Sequence, residues 1–371
     1  MESESSVQDV QALWATFVEE AHLPPQMAAL SVDDDLLVAG LGSLQAINFL
    51  SIVEGHFGAR YHLRRFFLMP TLSAVAHGIA EGDAATEESA LPATLVRLGY
   101  SEKHQASPSM PRMYALHPLP GTVSAYAPLA NELGTRCELW GVQSPLLETP
   151  AGGPVKSVAD LALGYCADIL AHESARDSAD PINLVGYSFG AFLAIEVARY
   201  LTRTGHSIGS LVLLDTPAFE GEDEEEPQRA AVEENTIRVL AEHVYGLDLD
   251  LPSLEGLSTR LKIRAIFAHG RGQGVLPTEV TVDALDRLVN ARVSHRLAAS
   301  RYRPEFLDHA ITLVRAADTY SDDVDHALGW REFSAACDVV MLPGDHFTIL
   351  EQPNVGELAQ ALARALPAAI R

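Results

Sequence analysis

Cysteine is nearly absent from this chain of 371 residues: there are three, Cys137, Cys166 and Cys337. They are odd in number, far apart and without a CxxC pair, which excludes a disulfide framework, a structural zinc site and dithiol redox chemistry, and fits reduced thiols. Long apolar runs are missing too, and the opening stretch MESESSVQDVQALWATFVEE has neither a basic start nor an apolar core. From that pattern we expect no signal peptide or membrane anchor, and a cytoplasmic protein. Basic residues are scarce: 26 Lys plus Arg face 50 Asp plus Glu, a formal charge of -24. Such an imbalance argues against nucleic acid or an anionic membrane as partner. What is abundant is apolar: 47% of residues, enough for a packed core and too many for a disordered chain.

The length favours two domains. Val7, Val10, Leu13, Trp14, Phe17, Val18 and Ala21 recur at helical spacing. A second periodic run follows Gly40-Leu41-Gly42-Ser43 through Phe57, with Ser43 placed to cap it, and a third short helix is expected from near Thr71 to Ala80. Residues 1–82 therefore read as a small helical domain, and residues 83–110, mixing Ala, Ser, Glu and Pro, as a linker. Beyond residue 111 short apolar runs alternate with helical ones. Strands are expected at 112–116, 138–142, 182–186, 211–214, 311–316 and 339–342, in a parallel sheet covered by helices. The interval from about 219 to 309 breaks that rhythm with an acidic run at 220–226 and then helices, an insertion at the sheet's edge.

Strand residues Ile182 to Gly186 run into Tyr187-Ser188-Phe189-Gly190 and then a helical pattern, the strand–turn–helix setting that GxSxG needs to act as a nucleophile elbow. The bland alternative for Ser188 is a turn serine. A base must lie nearby in space, and among 14 histidines His346 stands just after the last strand and follows the serine in chain order. His117, His269 and His309 read as structural or surface histidines. Two acids follow strands, Asp215 and Asp318; spacing leaves both open, and the apolar strand before Asp215 favours it. Backbone donors for a tetrahedral oxyanion are expected from Phe189 and, in Leu116-His117-Pro118-Leu119-Pro120-Gly121, from Leu119, because its proline neighbours have no N–H.

These residues resemble a known pairing, a carrier (thiolation) domain followed by a type I thioesterase of nonribosomal peptide synthetase and polyketide synthase assembly lines. The carrier resemblance rests on Asp35-Leu36, Gly40 to Ala46, Ile52-Val53-Glu54, Phe57-Gly58, Phe67 and Pro70-Thr71-Leu72. The thioesterase resemblance rests on HPLPG at 117–121, GVQSP at 141–145, LVGYSFGA at 184–191, LVLLD at 211–215, Tyr302-Arg303-Pro304 and PGDHFTIL at 343–350. It implies an α/β hydrolase fold with a helical lid insertion over about 219–309, inside a thioesterase domain at 111–371, preceded by a small all-α four-helix carrier bundle. By the same resemblance Ser43 would carry 4'-phosphopantetheine, although the family's usual Asp or His before the serine is Gly42 here. The implied catalytic set is Ser188, His346 and Asp215, with Leu119 and Phe189 as oxyanion donors and no metal. The implied partners are a phosphopantetheinyl transferase, upstream synthetase modules with a condensation or ketosynthase domain, and an acyl or peptidyl thioester released by hydrolysis or macrocyclisation. An editing thioesterase and a non-catalytic carrier and docking module are the alternatives. Arg287, Arg292, Arg296, Arg301 and Arg303, with no acid between 287 and 303, read either as a solvated helix face or as a landing strip for the acidic carrier.

Overall fold

The computed structural model describes residues 2–366 except 22, 38, 42, 60, 62–64, 67–68, 82–91, 100–109, 135, 150–152, 175–179, 220–227, 240–253, 255, 273–281 and 322. Gly42, Phe67, most of 83–110 and the acidic run at 220–226 thus lie outside the described residues. By contacts the chain divides into two compact units: residues 1–90, 148–151 and 228–293, and residues 91–147, 152–227 and 294–371.

Among the described residues of the first unit, the N-terminal region carries α1 (Glu2–Glu20), α2 (Ser43–Phe57) and α3 (Leu72–Glu81). The apolar stripe of α1 is what assembles them. Val10, Trp14 and Phe17 are buried, and the Trp14 ring meets Phe49 of α2 edge-on at 5.1 Å while its Nε1–H donates to the Met27 carbonyl at 2.8 Å. The segment before α2 is tied by the Leu36 N–H to the Pro70 carbonyl and by the Asp35 carboxylate to the Leu37 N–H. Gly40, at φ 103°, makes the turn that a side chain would strain, and Ser43 opens α2. The same unit holds α7 (Arg229–Val239) and α8 (Thr259–Gly272), joined by a hydrogen bond from the Thr259 hydroxyl to Glu233.

The second unit is built on a sheet ordered β1-β3-β2-β4-β5-β6-β7, with strands β1 (Leu95–Arg97), β2 (Arg112–Leu116), β3 (Glu138–Val142), β4 (Ile182–Tyr187), β5 (Ile208–Leu214), β6 (Leu307–Ala316) and β7 (Ser334–Leu342). Strands β2 to β7 pair in parallel; β1 is antiparallel to β3 at the edge. That edge strand corrects the linker reading of 83–110, since Leu95 and Val96 are buried there. Helices α4 (Ala127–Leu133), α5 (Val158–Ser174), α6 (Phe189–Arg203) and α10 (Val355–Ala365) belong to this unit, and α9 (Val282–Arg301) ends in it. Every residue of β4 is buried, as a central strand with both faces covered requires. The insertion ends earlier than expected, because β6 begins at Leu307.

Arg287, Arg292 and Arg296 lie on α9, most of which is buried around them. None of these three, nor Arg301 or Arg303, is without a partner. Arg287, Arg292 and Arg296 are part-exposed, and Arg301 and Arg303 are exposed. No described helix is long and apolar enough to cross a membrane.

Candidate active site

The C-terminal ends of adjacent parallel strands gather the site. Tyr187 of β4 stands opposite Leu214 of β5, so Ser188 and Asp215 follow side by side. Ser188 has φ 55° and ψ -128°, a conformation that costs a non-glycine residue roughly 1–3 kcal/mol and holds the side chain out of the turn. Two close approaches force it. A Cβ on Gly186 would stand 2.2 Å from the Gly190 carbonyl oxygen, and one on Gly190 would stand 2.1 Å from the Leu116 carbonyl oxygen. Glycine at both positions lets α6 start directly against β2 and β4.

Asp215 has φ 48°, a left-handed conformation that Asp tolerates better than bulkier residues. Its carboxylate is fully buried and held by donors: Oδ1 accepts from the Ala316 N–H at 2.8 Å, and Oδ2 from the Thr319 hydroxyl at 2.7 Å. His346 Nδ1 lies 3.0 Å from Oδ2 and 3.1 Å from the Asp215 carbonyl oxygen. Both partners can only accept, so Nδ1 carries the proton and Nε2 is left as a basic lone pair. The Tyr187 hydroxyl donates to the His346 carbonyl at 2.6 Å and fixes the loop that carries the imidazole. Asp318 makes no such contact; its N–H donates to the Gly344 carbonyl at 2.9 Å.

Ser188 joins this ledge through its backbone. Its carbonyl accepts from the Thr216 hydroxyl at 3.3 Å, and its N–H reaches the Leu214 carbonyl at 3.4 Å. Among the described residues Ser188 Oγ makes no hydrogen bond to His346. Phe189 N–H, at the first turn of α6, and Leu119 N–H, between two prolines, donate no hydrogen bond among the described residues. Both remain available to an oxyanion.

Sequence reasoning did not find the supports of this arrangement. Thr319 and Tyr187 sit in ordinary loop and motif positions, and His295 lies inside a helical repeat like any buried residue. His295 Nδ1 lies 2.8 Å from the Leu119 carbonyl oxygen, and its ring stacks on Phe189 at 5.2 Å. Only the loop's position after a strand and the GYSFG tyrosine offered a signal beforehand.

Comparison with known proteins agrees with this geometry. The thioesterase domain model matches residues 111–366, and the chain belongs to that family, a serine α/β-hydrolase class of thioesterase. Residues 8–79 match the phosphopantetheine attachment site model, so the N-terminal domain is of the type that bears this covalent group. The chain is 25% identical over 346 residues to a probable non-canonical nonribosomal peptide synthetase, CymA, of Salinispora arenicola, covering 93% of this chain and 4% of that protein. A four-domain nonribosomal peptide synthetase matches in fold with a TM-score of 0.65 at 23% identity, over 96% of this chain and 26% of the other. The Vlm2 thioesterase domain matches at TM-score 0.50 and 27% identity, over 74% of this chain and 98% of that domain. The chain thus spans only a small part of the synthetases it resembles.

The residues present fit a phosphopantetheine group. Ser43 supplies a hydroxyl-bearing residue at the first position of a 15-residue helix, where the helix N-terminus favours a phosphodiester. Among the described residues there is no cluster of three His, Cys, Asp or Glu able to hold a metal ion.

Proposed function

We propose that this chain is the releasing end of an assembly line: it takes an acyl or peptidyl chain from its own carrier domain onto Ser188 and frees it by hydrolysis or macrocyclisation. The observation that carries the reading is the Asp215–His346 contact at 3.0 Å beside the strained Ser188 elbow, in a chain that also holds a carrier domain. The domain limits proposed are 1–82 for a four-helix carrier bundle and 111–371 for the thioesterase, whose sheet also takes in the edge strand β1 from before residue 111, with a lid from about 219 to before the start of β6 at Leu307.

When attached to Ser43, phosphopantetheine supplies a terminal thiol that holds the chain as a thioester. His346 Nε2 removes the Ser188 hydroxyl proton as Oγ attacks the thioester carbonyl. Asp215 keeps the imidazole in the Nδ1–H form and steadies the imidazolium that results. The N–H groups of Phe189 and Leu119 receive the oxyanion, and the imidazolium protonates the leaving thiolate. His346 then deprotonates water, or an amine or hydroxyl of the bound chain, to release the acyl group from Ser188. The partners proposed are a phosphopantetheinyl transferase and an upstream condensation or ketosynthase module.

Loading the full chain with an acyl-pantetheine group through a promiscuous transferase tests this by intact mass. An adduct on Ser43 that passes to Ser188 supports it; turnover by S188A equal to the parent overturns it. A chain that loads but never acylates Ser188 would favour the docking module, and equal clearance of acyl groups from many foreign carriers the editing role.

A further inference from the structure

The turn after β2 is closed by the Gly121 N–H, which donates to the Pro118 carbonyl at 2.9 Å, and it is further held by two imidazoles, His117 at its own start and His295 from α9. His117 Nδ1 lies 2.8 Å from the Pro118 carbonyl oxygen, and His295 Nδ1 lies 2.8 Å from the next carbonyl, Leu119. A carbonyl oxygen only accepts, so each ring carries its proton on Nδ1 and donates. The opposite ring nitrogens then accept: His117 Nε2 from the Tyr165 hydroxyl at 2.7 Å, His295 Nε2 from the Ser144 hydroxyl at 3.0 Å. Both rings are fully buried and lie 4.6 Å apart. Burial pushes His117 well below the ordinary histidine range and His295 down to about 4, so both stay neutral at physiological pH.

The first of these bonds bears on catalysis through peptide geometry. In the trans peptide joining Pro118 to Leu119 the carbonyl and the N–H point in opposite directions within one plane. Pinning the Pro118 oxygen, which His117 does together with the Gly121 N–H, therefore aims the Leu119 N–H, and the second donation to that oxygen polarises the peptide and strengthens the N–H as a donor. His295 pins the following plane and stacks on Phe189, the residue whose N–H is the other expected donor. Resting on the serine mechanism above, we propose that His117 and His295 are paired positioning residues of the oxyanion hole, neutral imidazoles that orient the Leu119 N–H toward the developing charge without touching the substrate.

The test uses the full chain, a soluble octanoyl N-acetylcysteamine thioester and n-octylboronic acid, whose tetrahedral serine adduct places an oxygen in the hole. Removing an oxyanion donor costs about 10²–10³ in kcat, and loosening its aim is expected to cost about 10- to 100-fold in H117L and about tenfold in H295L. KM should stay within about threefold, and the boronate inhibition constant should rise by the same factor as kcat falls. Asparagine places an amide N–H near the Nδ1 position, so H117N and H295N should recover most of the loss. If H117N is as impaired as H117L, or kcat falls while boronate affinity holds, the residues only pack and the proposal is overturned.

Should H117L not fold, Y165F keeps the ring and removes the hydroxyl that fixes the His117 tautomer. A parallel change in kcat and boronate affinity of about two- to fivefold is expected. Unchanged values overturn the proposal. S188A separates the two readings: turnover surviving in S188A removes the serine mechanism, whereas a dead S188A beside histidine variants with parent values removes the positioning role alone.

Discussion

Two serines stand at the start of two helices, Ser43 before the body of α2 and Ser188 before α6, and the chain invests very differently in them. Ser43 opens an ordinary helix after a glycine turn. Ser188 is held at φ 55° between two glycines at which a Cβ would come within 2.5 Å of neighbouring backbone, and it follows β4 beside the buried Asp215 that orients His346. The difference follows from who supplies the chemistry. A transferase that modifies Ser43 brings its own catalytic groups, so the carrier needs only a hydroxyl presented where a helix end favours phosphate. In the proposed mechanism Ser188 is activated by its own chain, because a serine hydroxyl is a weak nucleophile without a base held to it. In that mechanism the loop after β7 brings the base, His346.

The largest effect expected from this comparison is a clean division between the two serines. S188A should lower turnover of a soluble thioester by about 10⁴- to 10⁶-fold while Ser43 still gains the phosphopantetheine mass. S43A should do the reverse, losing the mass adduct and keeping soluble turnover within about twofold of the parent. A chain in which S43A also silenced the soluble reaction would break the division. Next in size is the acid. D215N should lower kcat by about 10³- to 10⁴-fold by permitting the wrong imidazole tautomer, and D318N should leave it unchanged. Equal losses in both variants would mean that the acid acts through the fold rather than through His346. T319A, which removes one hydroxyl from Asp215 Oδ2, should cost about three- to tenfold in kcat, the value of one hydrogen bond of about 1 kcal/mol.

The turn position of Ser188 and the loop position of His346 were legible because each sits at a boundary that local patterning marks: an apolar strand ending in glycine, and a strand ending in Pro343-Gly344. The central strands were legible for the same reason, being short apolar runs between turn residues. What escaped depended on pairing in space. Leu95–Arg97 is three residues inside polar sequence, and only its register with Trp140, Gly141 and Val142 makes it a strand. Strands β5, β6 and β7 extend several residues upstream of their apolar cores, where polar residues interrupt the pattern: Ser210 and Asp308 fall at register shifts and Asp338 pairs with Thr312. Choosing between Asp215 and Asp318 needed the distance to His346, since both follow strands. The pairing of His117 with His295 had no local signature at all, because His295 looks like any residue of its helix until the fold brings it to the turn that His117 opens.

The smallest effect concerns those same imidazoles and separates the hydrolase from the carrier by pH. His295 is held neutral down to about 4, whereas in an unfolded chain it would begin to take up a proton near 6.5. Between those values the unfolded state binds more protons than the folded one, so the stabilisation present above pH 6.5 is lost as pH falls toward 4. At pH 5 the loss from His295 is on the order of 2 kcal/mol, and His117, shifted in the same direction, adds to it. H295N cannot titrate, so its hydrolase unfolding transition in the full chain should shift less between pH 7.5 and pH 5 than the parent's. The carrier's His56 and His77 lie outside this buried pair, and its transition should respond equally in both proteins. Thermal unfolding at the two pH values, followed by calorimetry, measures both. Parallel shifts in parent and H295N would mean that the buried imidazole is already protonated in the folded chain, which its donation to the Leu119 carbonyl permits but its acceptance from Ser144 does not.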